Sequence, residues 1–514
     1  MRDVGAVLGL VVLATAVATF ARRGRIPAPP LLVLAGLAVA LIPGVPPFRI
    51  PPQAIALFVL PPLLQAAAEE LSPRDLKAVW RPVTVLAFGL VLASAAAVGA
   101  LAVAVTPLSG PMAFVLGAVL ASTDPVAVTA LGRRLALPGR VQTLVQAESL
   151  FNDATSLVLF KVAVTAAVAA GAVHAGAAAG EFVLLAGGGT AVGAVVAGLV
   201  GLIRRRTTDP VLETVIALVT PYTAYVFAES AHTSGVTAVV VAGVMLGRSG
   251  HRLSDARIRL QLSAVNAVVV FLLESVVFSV VGLELPTLVR ALPDGTGAWP
   301  VQALAVAGAL LCLRVLWVLP MASVVGPRRG QPAWRVAGVV TWAGTRGVMP
   351  LAAALSIPLT AHDGSALPGR PLVLVLTTAV VVLTLVVQGL TLGGVVGRSG
   401  LALEPEHTAR EEAGARDALD RAALARVDQL AGLETHPEAA LLGIRRHLVA
   451  RLDNTEDGPT GDRLEEAYVG LRREVIRVAN EELRQLYTAH RISDTTRRRL
   501  QHELDLAEAG LGDR

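Results

Sequence analysis

Apolar residues in this chain come in long unbroken runs, not in the alternating or one-sided patterns of soluble strands and helices. About thirteen such segments can be marked, roughly 4–21, 28–46, 53–70, 82–105, 112–131, 141–171, 179–203, 210–230, 234–247, 262–285, 300–325, 335–356 and 371–396. About 20 apolar residues wound as helix span the ~30 Å hydrocarbon layer of a bilayer. The pattern therefore predicts an all-α polytopic membrane protein with about thirteen transmembrane helices. Past Gly400 the pattern changes. Stretches 408–432, 437–453, 462–489 and 493–510 are rich in Ala, Leu, Glu and Arg and read as solvated helices, with a break at Asp457-Gly458-Pro459 and an N-cap at Ser493. Two domains follow, a membrane domain over 1–400 and a helical tail over 401–514.

The polar positions between segments test this division. Taken alternately, one set of loops carries the clusters Arg22/Arg23/Arg25, Arg74/Lys77/Arg81, Arg133/Arg134/Arg140, Arg204/Arg205/Arg206, Arg248/Arg252/Arg257/Arg259 and Arg328/Arg329/Arg335. The other set, with the N-terminus, has only Arg2, Arg49, Arg290 and Arg370. Cytoplasmic loops are the basic ones, so the N-terminus is expected outside and the tail in the cytoplasm of a cell with the protein in its plasma (inner) membrane. The first basic cluster follows the first apolar run, whereas a signal peptide has its charge before it; that run reads as a retained span.

Composition sharpens the picture in three ways. Charged residues make up 16% of the chain, against about a quarter in soluble domains. Residues 401–514 hold 17 of the 44 Lys and Arg and 23 of the 39 Asp and Glu, so an acidic tail follows a basic membrane domain. The loop pattern accounts for that basic excess without nucleic acid as a partner. The single cysteine, Cys312, excludes an intrachain disulfide framework. There is no H-E-x-x-H, G-x-S-x-G or phosphate loop, and no metal-ligand cluster in the sequence pattern, so neither an enzyme nor a resident cofactor is expected.

The informative residues are the charges inside apolar segments, where an ionisable group costs ~2.5–3.5 kcal/mol or more. At ~1.5 Å per helical residue, Asp124 lies ~18 Å from the outer end of the fifth segment and Asp153 ~18 Å from the inner end of the sixth. Arg346 of the twelfth comes out at ~16 Å, Glu148 at ~11 Å and Glu274 of the tenth at ~18 Å. Two antiparallel segments thus bring carboxylates to one depth, with Arg346 in side-chain reach of Glu148. Lys161, at ~30 Å, is expected to reach for the outer interface. Glu213 and Glu229 fall at the ends of the eighth segment and read as interfacial, while Arg314 calls for a carboxylate partner that spacing does not identify. Pro125 beside Asp124, and Gly344, Gly347 and Pro350 around Arg346, predict broken helices in segments five and twelve. Each is the fifth of six if segments one to six and eight to thirteen are inverted repeats, as transporter cores often are. Carbonyls, hydroxyls and carboxylates at such breaks can replace the hydration shell of a monovalent cation. A carboxylate withdrawn from water takes up protons more readily, so one group can hold a proton or a cation in turn. A channel gated by the tail is the competing class; no carbonyl-filter sequence or ring of pore charges supports it.

The stretch 146–154, QAESLFNDA, resembles the ESLxND signature of the cation:proton antiporter-1 family, the NhaP-like Na⁺/H⁺ exchangers. The PPLL motif at 61–64, STDPVAV at 122–128, LETVIALVTPYTAYVFAES at 212–230, VVGLEL at 280–285 and TRG at 345–347 extend the resemblance over essentially all of 1–400. It implies a homodimer with a dimerisation region and a moving core, working in pH homeostasis. It also implies Asp153 as the proton- and cation-binding carboxylate. Asp124, Ser149 and the Thr123 carbonyl would be companion ligands for Na⁺, Asn152 the usual partner beside the aspartate, and Glu148–Arg346 a structural ion pair. With Asn152 rather than a second Asp, it implies electroneutral exchange of one cation per proton. Na⁺ is the expected ion, with Li⁺ or K⁺ open and a K⁺-preferring exchanger the alternative. Gln65-Ala66-Ala67 departs from relatives that carry a glutamate there, and Glu274-Ser275 stands where many have Asn-Gly; Glu274 is an accessory carboxylate candidate or a partner for Arg314.

Overall fold

A computed structural model describes residues 2–24, 28–42, 57–69, 71, 73–124, 139–168, 175–207, 209, 210–253, 256–293, 296–325, 333–361, 364–400, 405–431, 441–446, 448–449, 459–489, 500–501, 504 and 506–507. Two compact units emerge, Met1–Leu403 and Glu404–Arg514. Apart from one isolated bridge between Thr360 and Ala366, regular structure among the described residues is helical.

In the first unit the helices are α1 (Arg2–Gly24), α2 (Ala28–Ala40), α3 (Leu60–Glu69), α4 (Pro73–Thr84), a π-helical turn (Val85–Leu90) running into α5 (Val91–Val105), α6 (Gly110–Ala121), α7 (Gly139–Val168), α8 (Ala175–Arg204), α9 (Pro210–Ser230), α10 (Gly235–Leu253), α11 (Ala256–Arg290), α12 (Trp299–Val325), α13 (Ala333–Trp342), α14 (Val348–Leu355) and α15 (Arg370–Ser399). Seven continuous helical stretches, Val79–Val105, Val141–Val168, Ala179–Arg204, Pro210–Ser230, Ile258–Arg290, Trp299–Pro320 and Arg370–Ser399, are long and apolar enough to cross a membrane; four shorter apolar helices join them. Their starts follow local chemistry. Asp209 caps α9 by accepting from the amides of Val211 (2.7 Å) and Leu212 (3.2 Å), with Pro210 in the first turn, where its missing N–H costs nothing.

Packing uses small residues, since lipid supplies no hydrophobic drive between helices. The α2–α11 crossing is the tightest example: a Cβ on Gly36 would sit 2.2 Å from the Ser279 carbonyl oxygen, and one on Gly282 would sit 2.1 Å from that of Val33. Helices α6 and α15 are enclosed by their neighbours. Nine of the twelve residues of α6 are buried, as expected of a helix apolar all round. Helix α14 is enclosed still more fully, with all eight of its residues buried.

The second unit contains α16 (Pro405–Ala431) and α17 (Pro459–Thr488). Val427, Leu441 and Leu448 form a small apolar core of its own. Pro459 opens α17, a position where proline is preorganised for a helix. Asp457, Gly458 and Ser493 lie outside the described residues.

Candidate ion-binding site

Two helices stop inside the first unit and meet. Helix α6 ends at Ala121, after which Ser122 is extended (φ −65°, ψ 145°), and Ser122, Thr123 and Asp124 are all buried. Helix α13 ends at Trp342; Ala343–Gly347 is irregular, and α14 restarts at Val348. Pro350 sits in the first turn of α14, where it is tolerated, so the break belongs to the glycines. Pro125 lies outside the described residues. The Asp124 amide donates to the Thr345 carbonyl (2.8 Å), and the Thr345 hydroxyl donates back to the Asp124 carbonyl (2.9 Å). Backbone groups released by both breaks are therefore satisfied across the crossing, which burial demands.

The charges at the crossing follow the helix dipoles. The Arg346 guanidinium donates to the Ser122 carbonyl (2.6 Å) and more weakly to that of Ala121 (3.4 Å), at the C-terminal end of α6. Arg314, from α12, donates to the Val340 carbonyl (3.1 Å) near the C-terminal end of α13. At the N-terminal end of α14, the amide of Val348 donates to Asp124 Oδ2 (3.2 Å). Cations thus cover two carbonyl ends and an anion covers an amide end.

Helix α7 presents one polar face to this crossing. Ser149 donates to the Thr123 carbonyl (2.5 Å) and Ser156 to that of Ala118 (2.7 Å). The Ser122 hydroxyl donates to Asp153 Oδ1. Oriented to satisfy both its ends, the Asn152 amide donates to the carbonyls of Leu86 (3.3 Å) and Glu148 (3.2 Å) and accepts from the Thr123 hydroxyl (3.1 Å). Leu86 belongs to the π-helical turn, a feature often found at functional sites because it frees a carbonyl. Asp153, with 7% exposure, lies where the charges of Asp124 and Arg346 both act on it. Asp153, Asp124, Thr123, Ser149 and Asn152 are therefore brought together.

The expected ion pair is corrected. Glu148 pairs with Arg314, not Arg346, through two hydrogen bonds of 2.5 and 3.0 Å, and both side chains are almost fully buried. Depth along a helix placed Arg346 within reach of Glu148 but could not show that α12 brings a second guanidinium there from the side. Arg314 is thereby engaged by Glu148 and Val340, not by Glu274, which lies half-buried on α11. One further expectation changes, and two gain a partner. Glu213 is sealed from solvent and paired with Arg204 at 2.6 Å instead of being interfacial. Lys161 does not extend alone: it bonds Glu229 at 2.8 Å and the Thr233 carbonyl at 3.2 Å. Gln65 is buried and donates to Glu69 one turn on (2.7 Å), so α3 does carry a carboxylate near the position where the expected one is absent. Ser122 and Thr345 were not singled out by sequence reasoning, although both sit inside quoted motifs.

Close approach at the crossing depends on Gly347. A Cβ there would fall 1.3 Å from Asp124 Oδ2. Gly347→Ala is expected to expel the Asp124 carboxylate and uncap α14, costing about 1 kcal/mol, and to raise the half-saturating cation concentration. Thermal melting and transport titrations on the purified variant check both effects; an unchanged affinity would separate Asp124 from cation binding.

A bundle of long apolar helices, in which the end of α6 meets the break between α13 and α14 beside buried carboxylates, is the architecture of a multi-pass membrane transporter. The family model described as "Sodium/hydrogen exchanger, transmembrane" matches residues 9–397. The chain belongs to that family, the cation/proton antiporters. It is 38% identical over 412 residues to an uncharacterised Na⁺/H⁺ exchanger of Mycobacterium tuberculosis, covering 76% of this chain and 75% of the relative. It is 32% identical over 387 residues to a sodium, potassium, lithium and rubidium/H⁺ antiporter of Bacillus pumilus, covering 71% of this chain and 57% of that one. Its fold is similar to the sodium proton antiporter MjNhaP1 from Methanocaldococcus jannaschii, with a TM-score of 0.62 at 20% identity over 78% of this chain and 99% of the other.

Proposed function

We propose that this antiporter exchanges Na⁺ for H⁺ one to one by competition of the two ions for Asp153, with the site open to one side of the membrane at a time. The observation that carries the reading is the crossing itself, which buries Asp124 and Asp153 close enough for their charges to interact and leaves Asp153 with the Ser122 hydroxyl as its hydrogen-bond donor among the described residues. Asp124, Ser149, the Thr123 carbonyl and Asn152 complete the cation's surroundings. Asn152, a neutral amide beside Asp153, leaves one exchangeable charge there, which fits electroneutral exchange. Glu148–Arg314 braces α7 against α12. About thirteen crossings in two inverted repeats, a homodimer in the plasma membrane, an external N-terminus and a cytoplasmic tail over 401–514 belong to the same reading.

A K⁺-preferring exchanger is the second reading, favoured by the several cations named for the Bacillus pumilus relative. Proteoliposomes carrying an imposed ΔpH and a pH-sensitive dye separate the two on addition of Na⁺, Li⁺ or K⁺, with valinomycin and K⁺ clamping the potential in the Na⁺ and Li⁺ assays. Dequenching that saturates with Na⁺ and survives the clamp is expected. Stronger dequenching with K⁺ selects the second reading, and silence with all three ions from folded protein overturns both.

A further inference from the structure

Ser122 is the residue at the crossing that bonds Asp153 and that no motif role accounts for. Its hydroxyl donates to Asp153 Oδ1, and the residue is only 2% exposed. Its backbone is held from both sides. Arg346 bonds its carbonyl at 2.6 Å, and Ser149 bonds the next carbonyl, that of Thr123, at 2.5 Å. The backbone that carries Oγ is thus fixed, while the hydroxyl can reorient without any backbone movement. A serine oxygen offers two lone pairs besides its one donor, and alkali and alkaline-earth cations take oxygen ligands, selected by cavity size and ligand number.

We propose that Ser122 is a further cation ligand that sets selectivity: its hydroxyl oxygen coordinates the cation that Asp153 takes, exchanging its hydrogen bond to Asp153 for that contact. The inference rests on Asp153 as the exchange site. No covalent bond forms or breaks; the hydroxyl turns so that its lone pair faces the ion. Because Oγ already lies in hydrogen-bonding contact with Oδ1 on a fixed backbone, the two oxygens suit a small ion better than a large one. Burial also keeps water from easily replacing the lost ligand. Removing the hydroxyl therefore weakens Na⁺ and Li⁺ more than K⁺.

The test measures half-saturating Na⁺, Li⁺ and K⁺ concentrations in the dequenching assay for the wild type, Ser122→Ala, Ser122→Cys and Ser122→Thr, each shown by melting to be folded. Ser122→Ala is expected to raise the Na⁺ and Li⁺ values about fivefold, as for loss of one polar contact, and the K⁺ value less than about twofold. Ser122→Cys keeps the shape but offers a soft sulfur, and behaves like Ala; it carries the test alone if the Ala variant does not fold. Ser122→Thr keeps the oxygen and stays near the wild type. An equal change for all three ions, no change in any, or a Cys variant with wild-type values overturns the role of Ser122. Silence of the wild type toward every cation instead overturns the exchange reading on which the proposal rests.

Discussion

Asp153→Asn is expected to reduce cation-driven dequenching to the level of protein-free liposomes for Na⁺, Li⁺ and K⁺ alike. The substitution nearly preserves shape. An asparagine oxygen can still accept from the Ser122 hydroxyl that bonds Asp153 Oδ1, and α7 already carries an amide at Asn152, buried and satisfied by Leu86, Glu148 and Thr123. What is lost is a group that takes up and releases a proton and offers a full negative charge to a cation. With both fluxes coupled through that group, as proposed above, neither survives alone. Melting of the purified variant should fall within about 1 kcal/mol of the wild type, because no buried partner is left without its hydrogen bond. Residual saturable exchange at a tenth of the wild-type rate or more would move the coupling to Asp124.

The second large effect is on stability. Arg314→Met leaves Glu148, fully buried, without the guanidinium that bonds both of its oxygens. Breaking a buried pair from one side costs about 3–5 kcal/mol, whereas replacing both partners with neutral residues of similar volume is often close to neutral. Poor yield and a markedly lower melting midpoint are expected for Arg314→Met, with substantial recovery in the Glu148→Gln/Arg314→Met double variant. The same cycle between Glu148 and Arg346 should show a smaller coupling, because Arg346 bonds the Ser122 and Ala121 carbonyls. A larger coupling energy with Arg346 than with Arg314 would reverse the assignment made from the geometry.

Hydropathy and charge carried the reading of this chain a long way. Apart from the breaks at Ser122–Asp124 and Ala343–Gly347 and a few residues at their ends, the long apolar runs are helices where they are described, and Gly344 and Gly347 flank the break between α13 and α14 as their sequence context predicts. These properties are local: a residue's transfer energy and its allowed backbone angles depend little on what lies elsewhere in the chain. The same holds for the family, whose motifs are short and contiguous.

Partnerships between distant segments were less legible. Helical rise gives a depth for each charge but no direction, so which guanidinium faces Glu148 is decided only where folding lets Arg314 reach it from α12. The burial of Glu213 is unread for the same reason, since position along a helix says nothing about the neighbour that covers it. The π-helical turn at Val85–Leu90 left no sequence signal beyond Pro82 just before it. Its consequence, a Leu86 carbonyl offered to Asn152, exists only because α7 passes there. The sequence by itself determined that this is a multi-pass antiporter and which carboxylates lie deep within apolar segments, because solvation energy and motif chemistry are written residue by residue. Which charge answers which, and that Ser122 reaches Asp153, was decided by the tertiary structure alone, because hydrogen bonds and ion pairs act over a few ångströms between residues that folding brings together.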